Sequence, residues 1–221
     1  MTLSIVTGAN RGIGLALATL LKERGATVLA TCRTRSKSLD ALGVEVVADV
    51  EVTEPPGIRT LVAAVGNRTV DLLINNAGIL LSSGTLAELD ASSIRKQFEV
   101  NALAPLLITA ALRARFVAGS KVALITSRMG SIDDNGSGGS YGYRMSKAAL
   151  NMAGKSLAVD LQKQGVAVTI LHPGMVKTDM IAGHGQVEPL DAARGVLARI
   201  DELTLESTGG FFHANGERLP W

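Results

Sequence analysis

The stretch Leu3-Ser4-Ile5-Val6-Thr7-Gly8-Ala9-Asn10-Arg11-Gly12-Ile13-Gly14 decides the fold. Its first five residues are a short apolar, β-branched run, which predicts a buried strand. Three glycines follow at once. From Leu15 to Leu21 the apolar residues continue through Ala-rich sequence of helical character. The reading is strand, glycine turn, helix. Glycines let a backbone approach a ligand closely, and a helix N-terminus offers free amides and partial positive charge to a phosphate. The usual fingerprint of dinucleotide-binding folds is Gly-x-Gly-x-x-Gly. Here the spacing is the longer Gly-x-x-x-Gly-x-Gly, at Gly8, Gly12 and Gly14.

The rest of the chain repeats a helix–glycine–strand phrase. Lys22-Glu23-Arg24-Gly25 precedes Ala26 to Thr31, Phe116-Val117-Ala118-Gly119 precedes Ser120 to Thr126, and Gln162-Lys163-Gln164-Gly165 precedes Val166 to Leu171. In each, the glycine is read as a helix C-cap and the apolar run after it as a buried strand. Strands are expected near residues 3–7, 26–31, 44–48, 70–74, 120–126, 166–171 and 208–212. Such alternation predicts an α/β fold: one Rossmann-type domain over residues 1–221, a doubly wound parallel sheet of about seven strands with helices on both faces. Ligands of such sheets bind at the carboxyl ends of the strands. Thr7, Asp49, Asn75, Ser127 and Pro173 all follow strands on that edge.

Tyr143 and Lys147 stand four residues apart where the sequence reads as helix, Tyr141 to Gln164, so both side chains share one face. Bringing a phenol from about 10 to about 7 takes roughly 4 kcal/mol. One charge about 4 Å away, at an effective dielectric of about 20, supplies roughly that amount. The pair is therefore expected to act as a proton donor and acceptor near neutral pH.

In these motifs the chain resembles the short-chain dehydrogenase/reductase family. Asp49-Val50 resembles that family's adenine-contacting pair, and Asn75-Asn76-Ala77-Gly78 its Asn-Asn-Ala-Gly turn. Asn101 matches its helix asparagine, Ile125-Thr126-Ser127-Arg128-Met129-Gly130 its catalytic-serine strand end, and His172-Pro173-Gly174, with Val176 and Thr178, its Pro-Gly turn. The family commonly has two serines where Thr126-Ser127 stands, and Ser127 takes the second, catalytic place. Within the family, Tyr143 to Asn151 and the ending Gly209-Gly210-Phe211-Phe212, closing on Leu219-Pro220-Trp221, look like the sniffer-type and C-factor-like carbonyl reductases. The resemblance implies a catalytic set of Asn101, Ser127, Tyr143 and Lys147, and no metal. It also implies a nicotinamide-dinucleotide site. Gly8, Asn10, Arg11, Gly12, Ile13 and Gly14 would form its first wall, Arg33, Asp49, Val50, Asn75, Ala77 and Gly78 its second. Pro173, Gly174, Val176 and Thr178 would flank the nicotinamide, whose ribose Tyr143 and Lys147 would meet.

Enzymes of this fold that use NAD place an acid at the end of the second strand to hold the ribose 2′-hydroxyl. That strand here ends Ala30-Thr31-Cys32-Arg33, without one. Arg33, and Arg11 in the glycine loop, suit a 2′-phosphate through paired donors. The expected cofactor is NADPH/NADP+ rather than NADH, and the expected substrate a small-molecule ketone, aldehyde or quinone, or the corresponding alcohol. An NADP(H)-binding signalling or sensor protein with little turnover is the alternative that the C-factor likeness allows.

Bulk properties bound the answer. The chain has 221 residues, is 47% hydrophobic with 24 glycines, and only 3% aromatic, so aliphatic packing must build its core. A net charge of +2, with basic residues scattered, argues against nucleic acid or an anionic membrane as partner. Cys32 stands alone, which fits a reducing compartment, and a first strand at Leu3 leaves no room for a signal peptide, so the expected location is cytoplasmic. Leu103 to Leu112, the longest apolar run, is broken by Pro105. The 141–164 helix carries apolar residues on more than one stripe, which favours a homodimer. His172 reads as structural, Tyr141 as packing or substrate wall, and Asp133-Asp134-Asn135 as solvated loop. Met180, Ile181 and His184 fall in a loop positioned to cover a substrate.

Overall fold

The computed structural model describes residues 3–221. Seven strands form one parallel sheet in the order β3-β2-β1-β4-β5-β6-β7. They are β1 (Leu3–Thr7), β2 (Thr27–Thr31), β3 (Glu45–Val47), β4 (Val70–Asn75), β5 (Phe116–Ile125), β6 (Ala167–His172) and β7 (Gly210–His213). The order reverses between β1 and β4, which opens a crevice at their carboxyl ends. The helices are α1 (Gly12–Glu23), α2 (Lys37–Ala41), α3 (Pro55–Val65), α4 (Ala91–Phe98), α5 (Ala104–Leu112), α6 (Tyr141–Gln162) and α7 (Pro189–Asp201).

Alternate residues of each strand feed two cores. Ile5, Leu73, Leu124 and Ile170 pack with Leu61 of α3, Ile108 of α5, and Leu150 and Leu157 of α6. Their neighbours Val6, Ile74, Ile125 and Leu171 pack on the other face with Leu17 and Leu21 of α1 and Val196 and Leu197 of α7. Because both faces are covered, the strands read as continuous apolar runs rather than alternating ones. The second core is rich in alanine, which lets α1 and α7 lie close to the sheet and to each other.

Two expectations need correction. Residues 116–119 are not the end of a helix. Helix α5 stops at Leu112, a tight turn spans Arg113–Arg115, and β5 begins at Phe116 opposite Val70. Gly119 has φ +93° and marks a break in register rather than a cap. There Ser120 Oγ accepts from Val117 N at 2.9 Å and donates to the Val70 carbonyl at 2.7 Å. Pro105, which interrupts the apolar run, stands at a helix start. A wide turn over Glu99–Leu103 joins α4 to α5, and the proline falls at the start of α5, where its missing N–H costs little. The long helix α6 ends at Gln162, two residues before the expected end. No helix among the described residues is long and apolar enough to cross a membrane.

Candidate active site

A cavity of about 960 Å³ runs along the carboxyl edge of the sheet over the β1/β4 crevice. At one end is the glycine loop. Helix α1 starts at Gly12, no side chain caps its first turn, and that turn holds no acid, so its amides are free for an anion. Gly8 has φ +65°, and a Cβ there would lie 2.9 Å from Ala77 Cα. A Cβ on Gly14 would collide with the Gly8 carbonyl. The loop is thus a cradle that larger residues would fill. Thr7 Oγ1 locks it to the next strand by accepting from Asn76 N and Ala77 N, both at 3.0 Å. Asn76 Nδ2 returns a bond to the Thr7 carbonyl at 2.9 Å.

All six glycine-loop residues of the expected site line this cavity, as do Arg33, Val50, Ala77, Gly78, Pro173, Gly174, Val176 and Thr178. Two do not. Asn75 is turned away: its Nδ2 donates to Thr109 Oγ1 of α5 at 3.1 Å. Side chains alternate along a strand, so Asn75 follows Ile74 onto the opposite face, and its neighbour Asn76 reaches the cavity instead. Asp49, held at φ +57°, is also off the wall, and Val50 and Glu51 stand there in its place.

At the other end, Ser127 leaves β5 and faces Tyr143 and Lys147 of α6. Lys147 is buried, its Nζ donating to the Ile125 carbonyl at 2.9 Å and lying 5.7 Å from the centre of the Tyr143 ring. Burial pulls the Lys147 ammonium down to about 8. Burial also pushes the Tyr143 phenol up to about 12, which a hydrogen bond with the Ser127 hydroxyl offsets only in part. The expectation that Lys147 brings Tyr143 near 7 is therefore corrected. Desolvation of the phenolate dominates, and the ammonium is engaged by a carbonyl over the ring rather than by the phenolic oxygen.

Asn101 occupies the wide turn between α4 and α5, off the cavity wall. Its Oδ1 accepts from Ile79 N at 2.8 Å, and its Nδ2 donates to the Ile79 carbonyl at 2.9 Å and to Ser146 Oγ at 3.0 Å. A Cβ on Gly78 would fall 3.2 Å from Asn101 Oδ1 and 3.6 Å from Lys147 Nζ, so the three groups adjoin.

Several neighbours differ from the sequence reading. His172 lines the cavity and meets His213 edge to face at 4.9 Å. Burial, with His213, Arg128 and Lys147 nearby, holds it down to about 4, so it stays neutral. Met180 and Ile181 line the cavity as expected, whereas His184 does not, and Tyr141 is off the wall as well. Asp134 is no free loop residue, since it pairs with Arg128 Nε at 3.0 Å while Arg128 also pairs with Glu217. Met129, Met175 and Leu80 add apolar surface to the same cavity, Met175 and Leu80 without a motif residue to mark them.

The arrangement joins a phosphate-type cradle to a Ser–Tyr–Lys set in one cavity, and known proteins bear the likeness out. The short chain dehydrogenase family model matches residues 2–188. The chain is 40% identical, over the whole of both chains, to 1-hydroxy-2-glutathionyl-2-methyl-3-butene dehydrogenase of Rhodococcus sp.. It is 42% identical to C-signal of Myxococcus xanthus, over 74% of this chain and all of that one. Among solved structures, NADPH-bound carbonyl reductase from chicken fatty liver superposes with a TM-score of 0.90 at 30% identity, over 100% of this chain and 98% of that one. Carbonyl reductase Sniffer of D. melanogaster does so at 0.91 and 28%, over 100% and 99%. The chain is an oxidoreductase of the short-chain dehydrogenase/reductase family.

Proposed function

We propose that this chain is a single-domain, NADP(H)-dependent carbonyl reductase that converts a ketone, aldehyde or quinone to its alcohol. The observation that carries the reading is the convergence of Ser127, Tyr143 and Lys147 on the cavity that also holds the glycine cradle. The nicotinamide cofactor, when bound, supplies the hydride. The glycine loop and the N-terminus of α1 would hold its phosphates, Arg33 and Arg11 its 2′-phosphate, and Pro173, Gly174 and Val176 its nicotinamide end. NADPH in the chicken carbonyl reductase supports that choice.

Ser127 donates a hydrogen bond to the substrate oxygen as negative charge gathers there. Tyr143 gives that oxygen a proton. A phenol at about 12 keeps its proton at neutral pH, and an alkoxide is the stronger base, so the transfer runs downhill in the direction of reduction. Lys147 places positive charge behind Tyr143 and offers donors to the nicotinamide ribose. Asn101 is a positioning residue: its amide fixes the Gly78–Ile79 backbone beside Lys147.

An exposed apolar stripe bears on assembly. Met145, Met152 and Val159 lie seven residues apart on α6, 57%, 68% and 62% exposed, and Phe98 of α4 and Leu107 of α5, helices that contact α6, are exposed as well. This supports a homodimer through those helices.

A second reading, an NADP(H)-binding signalling protein with little turnover, is favoured by the likeness to C-signal. The test is loss of reduced-nicotinamide absorbance with a panel of reactive aldehydes, quinones and diketones. Turnover supports the reductase. Tight NADPH binding with no turnover across the panel supports the second reading.

A further inference from the structure

The two arginines assigned to the 2′-phosphate are each already held by a carboxylate on the same cavity wall. Arg33 Nη1 lies 3.6 Å from Glu51 Oε2. Glu51 is itself oriented: its Oε1 accepts from Thr53 Oγ1 at 3.1 Å and from Thr53 N at 3.4 Å, which leaves Oε2 toward Arg33. Arg11 Nη1 donates to Asp179 Oδ2 at 2.9 Å, across the mouth from the glycine loop to the segment after Thr178. The two arginine-bearing segments are tied together, since Asn10 Nδ2 donates to the Thr34 carbonyl at 3.1 Å and Ser36 Oγ to the Asn10 carbonyl at 2.7 Å.

We infer that Glu51 and Asp179 are specificity-determining residues that restrain the preference for the phosphorylated cofactor, by competing with its 2′-phosphate for Arg33 and Arg11. This rests on the NADP(H) reading. A phosphate entering between these groups gains two guanidinium partners but meets two carboxylates of its own sign. A cofactor without the 2′-phosphate meets neither the gain nor the repulsion. The pairs are solvent-facing, with Arg33 and Glu51 side chains 60% and 35% exposed and Arg11 and Asp179 68% and 75% exposed. Their effect is accordingly modest and sensitive to salt.

The experiment is a binding titration of NADPH and of NADH, read by reduced-nicotinamide fluorescence, for the wild-type chain, Glu51→Gln and Asp179→Asn, at low and high salt. Both substitutions keep side-chain shape and remove only charge, and Asp179 is exposed enough to tolerate it. The expected result is NADPH bound roughly three- to tenfold more tightly by each variant at low salt, with the gain shrinking at high salt and the NADH Kd within about twofold of wild type. Unchanged or weaker NADPH binding in both variants would overturn the inference. So would an equal gain for NADH, because the carboxylates would then act on the shared part of the cofactor. Wild-type chain that binds NADH as tightly as NADPH would overturn the cofactor reading itself, and the inference with it.

Discussion

Lys147 Nζ lies 5.7 Å from the centre of the Tyr143 ring and is bound to the Ile125 carbonyl at 2.9 Å, so the ammonium that backs the phenol is anchored to the strand that carries Ser127. Sheet and helix thus fix the Ser–Tyr–Lys geometry together. Both titrating groups are pushed toward their neutral forms by the same burial, Lys147 down to about 8 and Tyr143 up to about 12.

A pH dependence follows with a definite sign. On the proposed mechanism, reduction needs Tyr143 protonated and Lys147 charged. Both conditions hold below about 8, and the Lys147 charge is lost as pH rises through it. The rate of carbonyl reduction is expected to be level near neutrality and to fall above about pH 8. Oxidation of the alcohol needs the phenolate and should instead rise into alkaline pH. Initial rates in both directions across pH check this, and a reduction rate that climbs above pH 8 would contradict it.

Stability carries the same burial. The folded-state value of Lys147 is depressed from 10.5 to about 8, so between those values the unfolded chain binds more protons and folding stability gains with rising pH. Tyr143, raised from 10.0 to about 12, contributes stability that is lost as pH rises from about 10 toward 12. Lys147→Met should therefore flatten the slope between pH 8 and 10.5 in urea-unfolding measurements.

How much of this was legible in the sequence depends on which kind of constraint each residue obeys. Gly8 and Gly14 were readable because the backbone there admits no Cβ, a demand that shows as residue type. Tyr143 and Lys147 were readable from helical spacing. The choice between Asn75 and Asn76 was not, because it turns on which sheet face each residue meets, and that parity is set by packing against α5. The start of β5 was misread because a glycine with positive φ serves a helix end and a register break equally well. The direction of the Tyr143 shift was misread because spacing carries the nearby charge but not the burial that outweighs it.

The glycine cradle gives a sharp test. A methyl on Gly14 would be driven into the Gly8 carbonyl and crowd Asn76 Nδ2 at 2.6 Å. Gly14→Ala is expected to weaken NADPH binding by at least about tenfold, a loss of roughly 1.4 kcal/mol or more. Fluorescence titration measures it, and circular dichroism establishes that the fold is retained.

Asn101→Ala would strip three hydrogen bonds from Ile79 and Ser146 in a buried turn. The expected cost is about 1–3 kcal/mol, read as a lowered denaturation midpoint. Turnover should fall further than that loss of stability explains, because the Gly78 backbone beside Lys147 loses its support.

If the α6 stripe is a subunit interface, light scattering at micromolar concentration will give twice the chain mass. Met152→Glu, which sets a charge at a side chain 68% exposed in the single chain, will then give a monomer. A monomeric mass for the wild-type chain would reject the dimer.

The most direct test of the central claim compares wild type with Tyr143→Phe, measuring NADPH-dependent turnover of a reactive carbonyl substrate and NADPH affinity side by side. The expected result is turnover lost by a factor of about 10² or more with NADPH affinity changed by no more than about threefold, since the phenol is assigned to act on the substrate oxygen. A Phe variant that keeps most of its activity would contradict the assignment of Tyr143 as the proton donor.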